Sequence, residues 1–259
     1  MMSILEISKM GGAVLLTMNR PDSMNAMSND LATQLLSAIQ SAELDKKNRA
    51  IIITGAGGKA FCAGTDLKER RHMSPDEKWI QSRALFTLNM AIRQSSLPVI
   101  AAINGWCLGG GLELAIYSDL RIATTNSQFG WPEMTLGAYP GGGGAVMLPR
   151  IIGEAKAKEF FFTARRINAT EALNIGLIHR VVSVENLMDA TLDFVSGIEQ
   201  TSPLGLAALK KSINTGVDLP FDQAVLVDQD TRRPLEATND YQEGILAHFE
   251  KRKPQFKGS

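Results

Sequence analysis

Cysteine and histidine are scarce in this chain, neither charge sign predominates, and no apolar run is long enough to cross a membrane, so several classes of function drop out at once. The 259 residues include two cysteines and three histidines. Cys62 and Cys107 sit among small apolar residues without CxxC or zinc-ligand spacing, which points to reduced, structural thiols. No histidine signature accompanies Cys62 to activate it as a nucleophile. His72, His179 and His248 are isolated from one another, so no metal site is expected. Lys and Arg total 27 against 27 Asp and Glu, and no global field draws the protein toward nucleic acid or an anionic membrane. No stretch approaches the ~20 apolar residues of a membrane span. Met1-Met2-Ser3-Ile4-Leu5-Glu6 runs straight into a strand-like pattern without the basic and apolar regions of a signal peptide, and a cytoplasmic location is expected.

With 44% apolar and 21% charged residues, the chain has the composition and length to bury a substantial core. Leu5 to Ser8 and Ala13 to Asn19 read as strands around Lys9-Met10-Gly11-Gly12, a hairpin signal. Ser28 is a plausible cap for a helix carrying Leu31, Leu35, Leu36 and Ile39. Ala50 to Thr54 is a continuous apolar, β-branched run, hence a buried strand. Helical spacing over Pro75 to Arg93 is followed by a strand at Val99 to Ile103, a helix from about Gly110 to Tyr117 and a short strand at Leu120 to Ala123. This alternation argues for an α/β layer structure. After Pro149 the segments Ala155 to Thr163, Glu185 to Gln200, Leu204 to Thr215, Phe221 to Thr238 and Tyr241 to Lys251 read as helices, with little strand signal.

Three segments carry the chemistry: Phe61-Cys62-Ala63-Gly64-Thr65-Asp66, Gly109-Gly110-Gly111-Leu112-Glu113, and Trp131-Pro132-Glu133 followed by Pro140-Gly141-Gly142-Gly143-Gly144. The second joins bare glycine amides to a helix start, where free N–H groups and the dipole favour negative charge and missing Cβ atoms admit a carbonyl oxygen. Glu113 and Glu133 add two carboxylates beside those donors, which is what proton chemistry next to an activated carbonyl requires. Taken singly, the triple glycine reads equally as a flexible turn, Glu113 as dipole complementarity and Glu133 as a solvated loop residue. Gly55-Ala56-Gly57-Gly58-Lys59-Ala60 fits the dinucleotide pattern GxGxxA, but the residues after it do not look like a helix able to receive a pyrophosphate.

The ordered set resembles the signature of the crotonase superfamily, enoyl-CoA hydratases in particular, and the similarity extends to Asp240-Tyr241-Gln242-Glu243-Gly244 and Glu250-Lys251-Arg252. The resemblance implies an α/β fold, a crotonase-type spiral of ββα turns with a C-terminal helical trimerisation region. It places the core and active site in residues 1–200 and the oligomerisation helices in 201–259 of a homotrimer or hexamer. Carried over by position, the backbone N–H groups of Thr65 and Gly110 form an oxyanion hole, Glu113 and Glu133 are the catalytic pair, and Gly141 helps place the water. Ser23, Met24, Ala63, Asp66, Leu67, Pro132 and Lys251 fall where the family meets the acyl-CoA substrate. Thr65 stands where alanine is common, Asp22 where a lysine is often found, and His248 where a neighbouring subunit's phenylalanine often covers the adenine. Trp131 and Tyr139 bring more bulk than usual beside Glu133.

The implied reaction is syn addition of water to a 2-enoyl-CoA, giving a 3-hydroxyacyl-CoA, with no cofactor beyond the coenzyme A of the substrate. Enoyl-CoA isomerisation, which needs one proton-shuttling carboxylate, and decarboxylase or hydrolase chemistry on the same oxyanion hole are the alternatives within the family. From another class, Asp66-Leu67-Lys68-Glu69-Arg70-Arg71 resembles a segment of methylglutaconyl-CoA hydratases that include an RNA-binding member. The acidic residues interspersed there and the zero net charge argue for a solvated helix face instead.

Overall fold

A computed structural model describes residues 3–259. The hairpin at the start is present: β1 (Leu5–Met10) and β2 (Ala13–Met18) pair antiparallel, with Gly11 at the turn in the left-handed region (φ 57°). Helix α1 (Asn29–Leu44) follows, and the Ser28 side chain accepts from Leu31 N–H at 3.2 Å, the capping bond its sequence suggests.

The chain then repeats one unit three times. β3 (Ala50–Gly55) bends into the short β4 (Ala60–Cys62), which leads to α2 (Leu67–Arg70) and α3 (Pro75–Gln94). β5 (Val99–Ile103) bends into β6 (Trp106–Leu108) and then α4 (Gly110–Tyr117). β7 (Leu120–Thr124) bends into β8 (Gln128–Gly130), a 3-10 turn at Pro132–Leu136, and α5 (Gly144–Ile152). Each unit lays one strand parallel to its predecessor in each of two sheets, so the chain climbs as a spiral of ββα turns. Gly57 and Gly58 lie in a turn between two strands, with no helix behind them for a dinucleotide to dock on.

The remaining elements are α6 (Glu154–Thr163), β9 (Arg166–Asn168), α7 (Ala169–Asn174), β10 (Arg180–Val182), α8 (Leu187–Glu199), α9 (Pro203–Gly216), α10 (Phe221–Arg232) and α11 (Asn239–Phe249). Two strands thus fall between the helices of the stretch that shows little strand signal. β10 pairs with β7 to finish a six-stranded sheet of order β1-β2-β3-β5-β7-β10, and β9 pairs antiparallel with β8 to finish a four-stranded sheet of order β4-β6-β8-β9. Both are three residues long, too short for an alternation of apolar and polar residues to register. The helix expected over Phe221 to Thr238 breaks at Arg232, because Pro234 cannot donate the next helical bond, and a 3-10 turn at Arg233–Ala237 takes over.

The central strands of the larger sheet, β3, β5 and β7, are buried on both faces. Along β3, Ile51 and Ile53 join the main core with α1 and α3, while Ala50 and Ile52 point to a second cluster covered by Leu187 and Val195 of α8. Burial on both faces explains why β3 reads as an uninterrupted apolar run. His179 is a structural residue, its Nδ1 accepting from Arg121 N–H at 3.1 Å. Helices α9 and α10 bury none of their residues within the protomer. Lys210 ties α9 to the core, donating to Asp119 Oδ2 at 2.6 Å and to the carbonyls of Ile92 and Leu97.

Candidate active site

Parallel stacking of β4, β6 and β8 brings the three glycine- and glutamate-bearing segments together. Cys62 pairs with Cys107 and Leu108 with Gly130, so the loops leaving the three strands emerge side by side. The loop after β4 carries Gly64 and Thr65. It forms a parallel bridge to Met27, in which Met27 N–H donates to Gly64 C=O (2.8 Å) and Asp66 N–H to Met27 C=O (3.0 Å). Alternation along an extended segment then turns the Thr65 N–H to the opposite side. Gly110 opens α4, where first-turn N–H groups have no helical acceptor. A Cβ on Gly110 would lie 3.5 Å from Thr65 N, so the two amides adjoin. Gly109 must be glycine: its φ is 50°, and a Cβ there would collide with the Glu133 carboxylate.

Glu113, in the first turn of α4, is 2% exposed. Its carboxylate accepts from Gly142 N–H at 2.9 Å and from Gly144 N–H at 2.8 Å, and Asn89 Nδ2 of α3 holds that loop by donating to Gly142 C=O at 2.9 Å. Burial pushes the Glu113 pKa up to about 7, helped by the nearby Glu133 charge and opposed by the two amides. Glu133 sits on the 3-10 turn with its Oε2 buried and unbonded. Burial raises its pKa as well, against the pull of the Gly110 amide. The result is two buried carboxyl groups, both raised in pKa, beside a pair of amide donors.

Ala63, Thr65, Leu67, Pro132 and Gly141 line the same cleft as the two glutamates. Gly141 does so at its mouth, whereas the N–H groups that fix Glu113 belong to Gly142 and Gly144. Ser23 and Met24 lie on the neighbouring loop, joined to the cleft wall by a bond from Ala63 N–H to Met24 C=O at 3.1 Å. Asp66 is held within the protein. Its carboxylate caps α2 through Lys68 N–H (3.0 Å) and Glu69 N–H (3.4 Å) and pairs with Arg20 at 2.8 Å, which leaves it positioning the loop. Lys251 is exposed at the end of α11 and is not part of the cleft wall in the protomer. Trp131 likewise does not narrow the cleft: it is fully buried, 4.8 Å from Phe161 between ring centroids, beneath Gly144. Tyr139, 72% exposed, does line it. Cys62 is buried with its thiol pushed up to about 12, far from any nucleophilic state.

Asn89 lies outside the three segments, and within the glycine cluster the sequence does not single out Gly142 and Gly144 as the donors to Glu113. One signal for Asn89 exists: a polar residue four positions after Leu85 on the buried stripe of α3, where an apolar side chain is the default.

The family model for enoyl-CoA hydratase/isomerase matches residues 8–259. The chain is 38% identical over 251 residues to the short-chain-enoyl-CoA hydratase of Clostridium acetobutylicum, covering 95% of each. It is 37% identical over 251 residues to the mitochondrial methylglutaconyl-CoA hydratase of Mus musculus, covering 95% of this chain and 80% of that one. The crystal structure of an enoyl-CoA hydratase from Bacillus anthracis superposes with a TM-score of 0.97 at 35% identity, over 99% of this chain and 100% of that one.

The raised pKa of Glu113 makes a stability prediction. An unfolded glutamate titrates near 4.5 and the folded one at about 7, so folding disfavours the carboxylate, and stability is lost as pH rises between those values. Glu113→Gln, which cannot ionise, should therefore gain on the wild type across that window, by up to about 3 kcal/mol, and hold a constant difference above it. Thermal melts of both proteins from acid to neutral pH check this; a difference that does not change with pH would contradict the buried-carboxylate assignment.

Proposed function

The chain belongs to the enoyl-CoA hydratase/isomerase family, and on that premise we propose that it adds water across the double bond of a 2-enoyl-CoA through the Thr65–Gly110 amide pair and both glutamates. The thioester oxygen accepts from Thr65 N–H and Gly110 N–H, which stabilise the charge that develops there as the enolate-like transition state forms; one such donor is worth ~10²–10³ in rate. Glu113 takes a proton from water as the oxygen bonds C3. Glu133 delivers a proton to C2. Coenzyme A enters as part of the substrate, and the acidity is supplied by the thioester and its two hydrogen bonds.

One observation carries this reading over isomerisation: both carboxyl groups are raised in pKa inside one cleft, and only Glu113 is fastened by the loop N–H groups of Gly142 and Gly144. A base poised near 7 can remove a proton from water at neutral pH, while burial raises the pKa of the second carboxyl and so favours its delivering one. Isomerisation needs a single shuttle.

We also propose that the protein works as a homotrimer or a hexamer. Leu209, Ile213, Phe221 and Leu226 on α9 and α10 are each more than half exposed, and apolar side chains at that density on adjoining helices are what an interface covers. Light scattering on the full chain should give three or six times 28.1 kDa. A fully active monomer would contradict the assembly.

The catalytic roles separate by isotope exchange. Glu133→Gln should suppress both hydration and exchange of the α-hydrogen of a saturated acyl-CoA with deuterated solvent. Glu113→Gln should cut hydration by ~10² or more while leaving more of the α-exchange, because Glu133 and the amide pair survive. If wild-type protein shifts a 3-enoyl-CoA to the 2-enoyl form without 3-hydroxyacyl-CoA accumulating, and one glutamate is dispensable, the protein is an isomerase.

A further inference from the structure

Arg70, at the end of α2, is a half-buried cation in the wall of the catalytic cleft. All its side-chain hydrogen bonds go to neutral acceptors: Nη1 donates to Gln81 Oε1 at 2.7 Å and to Lys78 C=O at 3.2 Å, and Nη2 to Ser82 Oγ at 3.5 Å. Among the described residues no carboxylate pairs with it. Burial alone acts on its pKa, downward, without a nearby negative charge to offset it. A guanidinium taken partly out of water without a counter-ion carries an uncompensated desolvation penalty, and its planar fork matches a carboxylate.

The position of Arg70 along the cleft narrows what could answer it. Ser82 Oγ lies 3.1 Å from where a Cβ of Gly141 would stand, and the next residue, Gly142, donates to Glu113. Arg70 is therefore on the Glu113 side of the cleft. The loop of Ser23 and Met24 joins the wall at Ala63, the residue two before the Thr65 amide. A substrate with its thioester oxygen on the amide pair and its double bond at the glutamates points the rest of its acyl chain away from the coenzyme and toward that guanidinium.

Resting on the hydratase reading, we propose that Arg70 is a specificity-determining residue and that the preferred substrates are 2-enoyl-CoA thioesters whose acyl chain ends in a carboxylate, of the glutaconyl type. The substrate carboxylate supplies the missing counter-charge in a charge-assisted, two-bonded contact, and Gln81 and Ser82 hold the guanidinium in place for it. An uncharged acyl chain of the same length leaves the cation half-buried and unpaired.

The test compares glutaconyl-CoA with pent-2-enoyl-CoA, a matched pair differing in the terminal carboxylate, on wild type, Arg70→Met and Arg70→Lys. Wild type should favour glutaconyl-CoA in kcat/KM, and the ratio of the two values should fall roughly 30-fold or more in Arg70→Met, with Arg70→Lys between. Binding of glutaryl-CoA against pentanoyl-CoA, measured by calorimetry, reads the same preference without turnover, so it decides the point even if the hydratase reading fails. Equal weakening of both thioesters in Arg70→Met would assign Arg70 to the coenzyme A moiety and overturn the proposal. A wild type that hydrates pent-2-enoyl-CoA but does not prefer the carboxylated partner would overturn it while leaving the hydratase reading standing.

Discussion

Three strands of three residues each, β4, β6 and β8, stacked in parallel, are the constraint on which the site depends. Their hydrogen bonds set the spacing of the loops that leave them, and through those loops the distance from the Thr65 amide to the Gly110 amide and to both glutamates. The residues concerned are far apart in sequence, and the side chains of Asn89 and Asp66 hold the loops further. The central strands of the larger sheet, β3, β5 and β7, buried on both faces, supply the rigid platform from which each short strand springs. Glycine at Gly109 and Gly142 fits the same constraint, since a side chain at either position would run into the carboxylate of Glu133 or Glu113.

The cleft brings unlike groups together: amide donors, two carboxyl groups whose pKa values burial raises, and the Arg70 cation in its wall. Burying two carboxyls so close together costs stability, and the N–H groups of Gly142 and Gly144 recover part of it for Glu113 only. This asymmetry is the basis of the different roles proposed for the two glutamates. It also fits the general pattern in which strain and desolvation collect where the chemistry is.

Much of this was legible in the sequence, and the gaps have physical causes. Long periodic elements such as α1, α3 and β3 announce themselves, as do glycines joined to a helix start. The three-residue strands do not, because no alternation fits in them, and so the second sheet, which assembles the site, is invisible to pattern reading. Asp66 reads as a ligand contact but is spent on capping α2 and pairing with Arg20, a role that depends on a partner 46 positions away. Trp131 reads as bulk beside Glu133, yet strand alternation after β8 turns it into the core. Gly142 and Gly144 were within a recognised glycine cluster, but which members donate to Glu113 follows only from the path of the loop. Arg70 looked like one charge among several on a solvated helix face; its side chain instead turns toward Gln81 and Ser82.

The central claim is that two backbone amides, Thr65 and Gly110, polarise the thioester. It is tested most directly by isotope-edited infrared spectroscopy of an unreactive acyl-CoA labelled at its thioester carbonyl and bound to the enzyme. The account predicts that the carbonyl band moves to lower frequency on binding, and that most of the movement is lost in Gly110→Pro, where the first helical position tolerates proline but the N–H is gone. A bound carbonyl absorbing at its solution frequency in the wild type would contradict it.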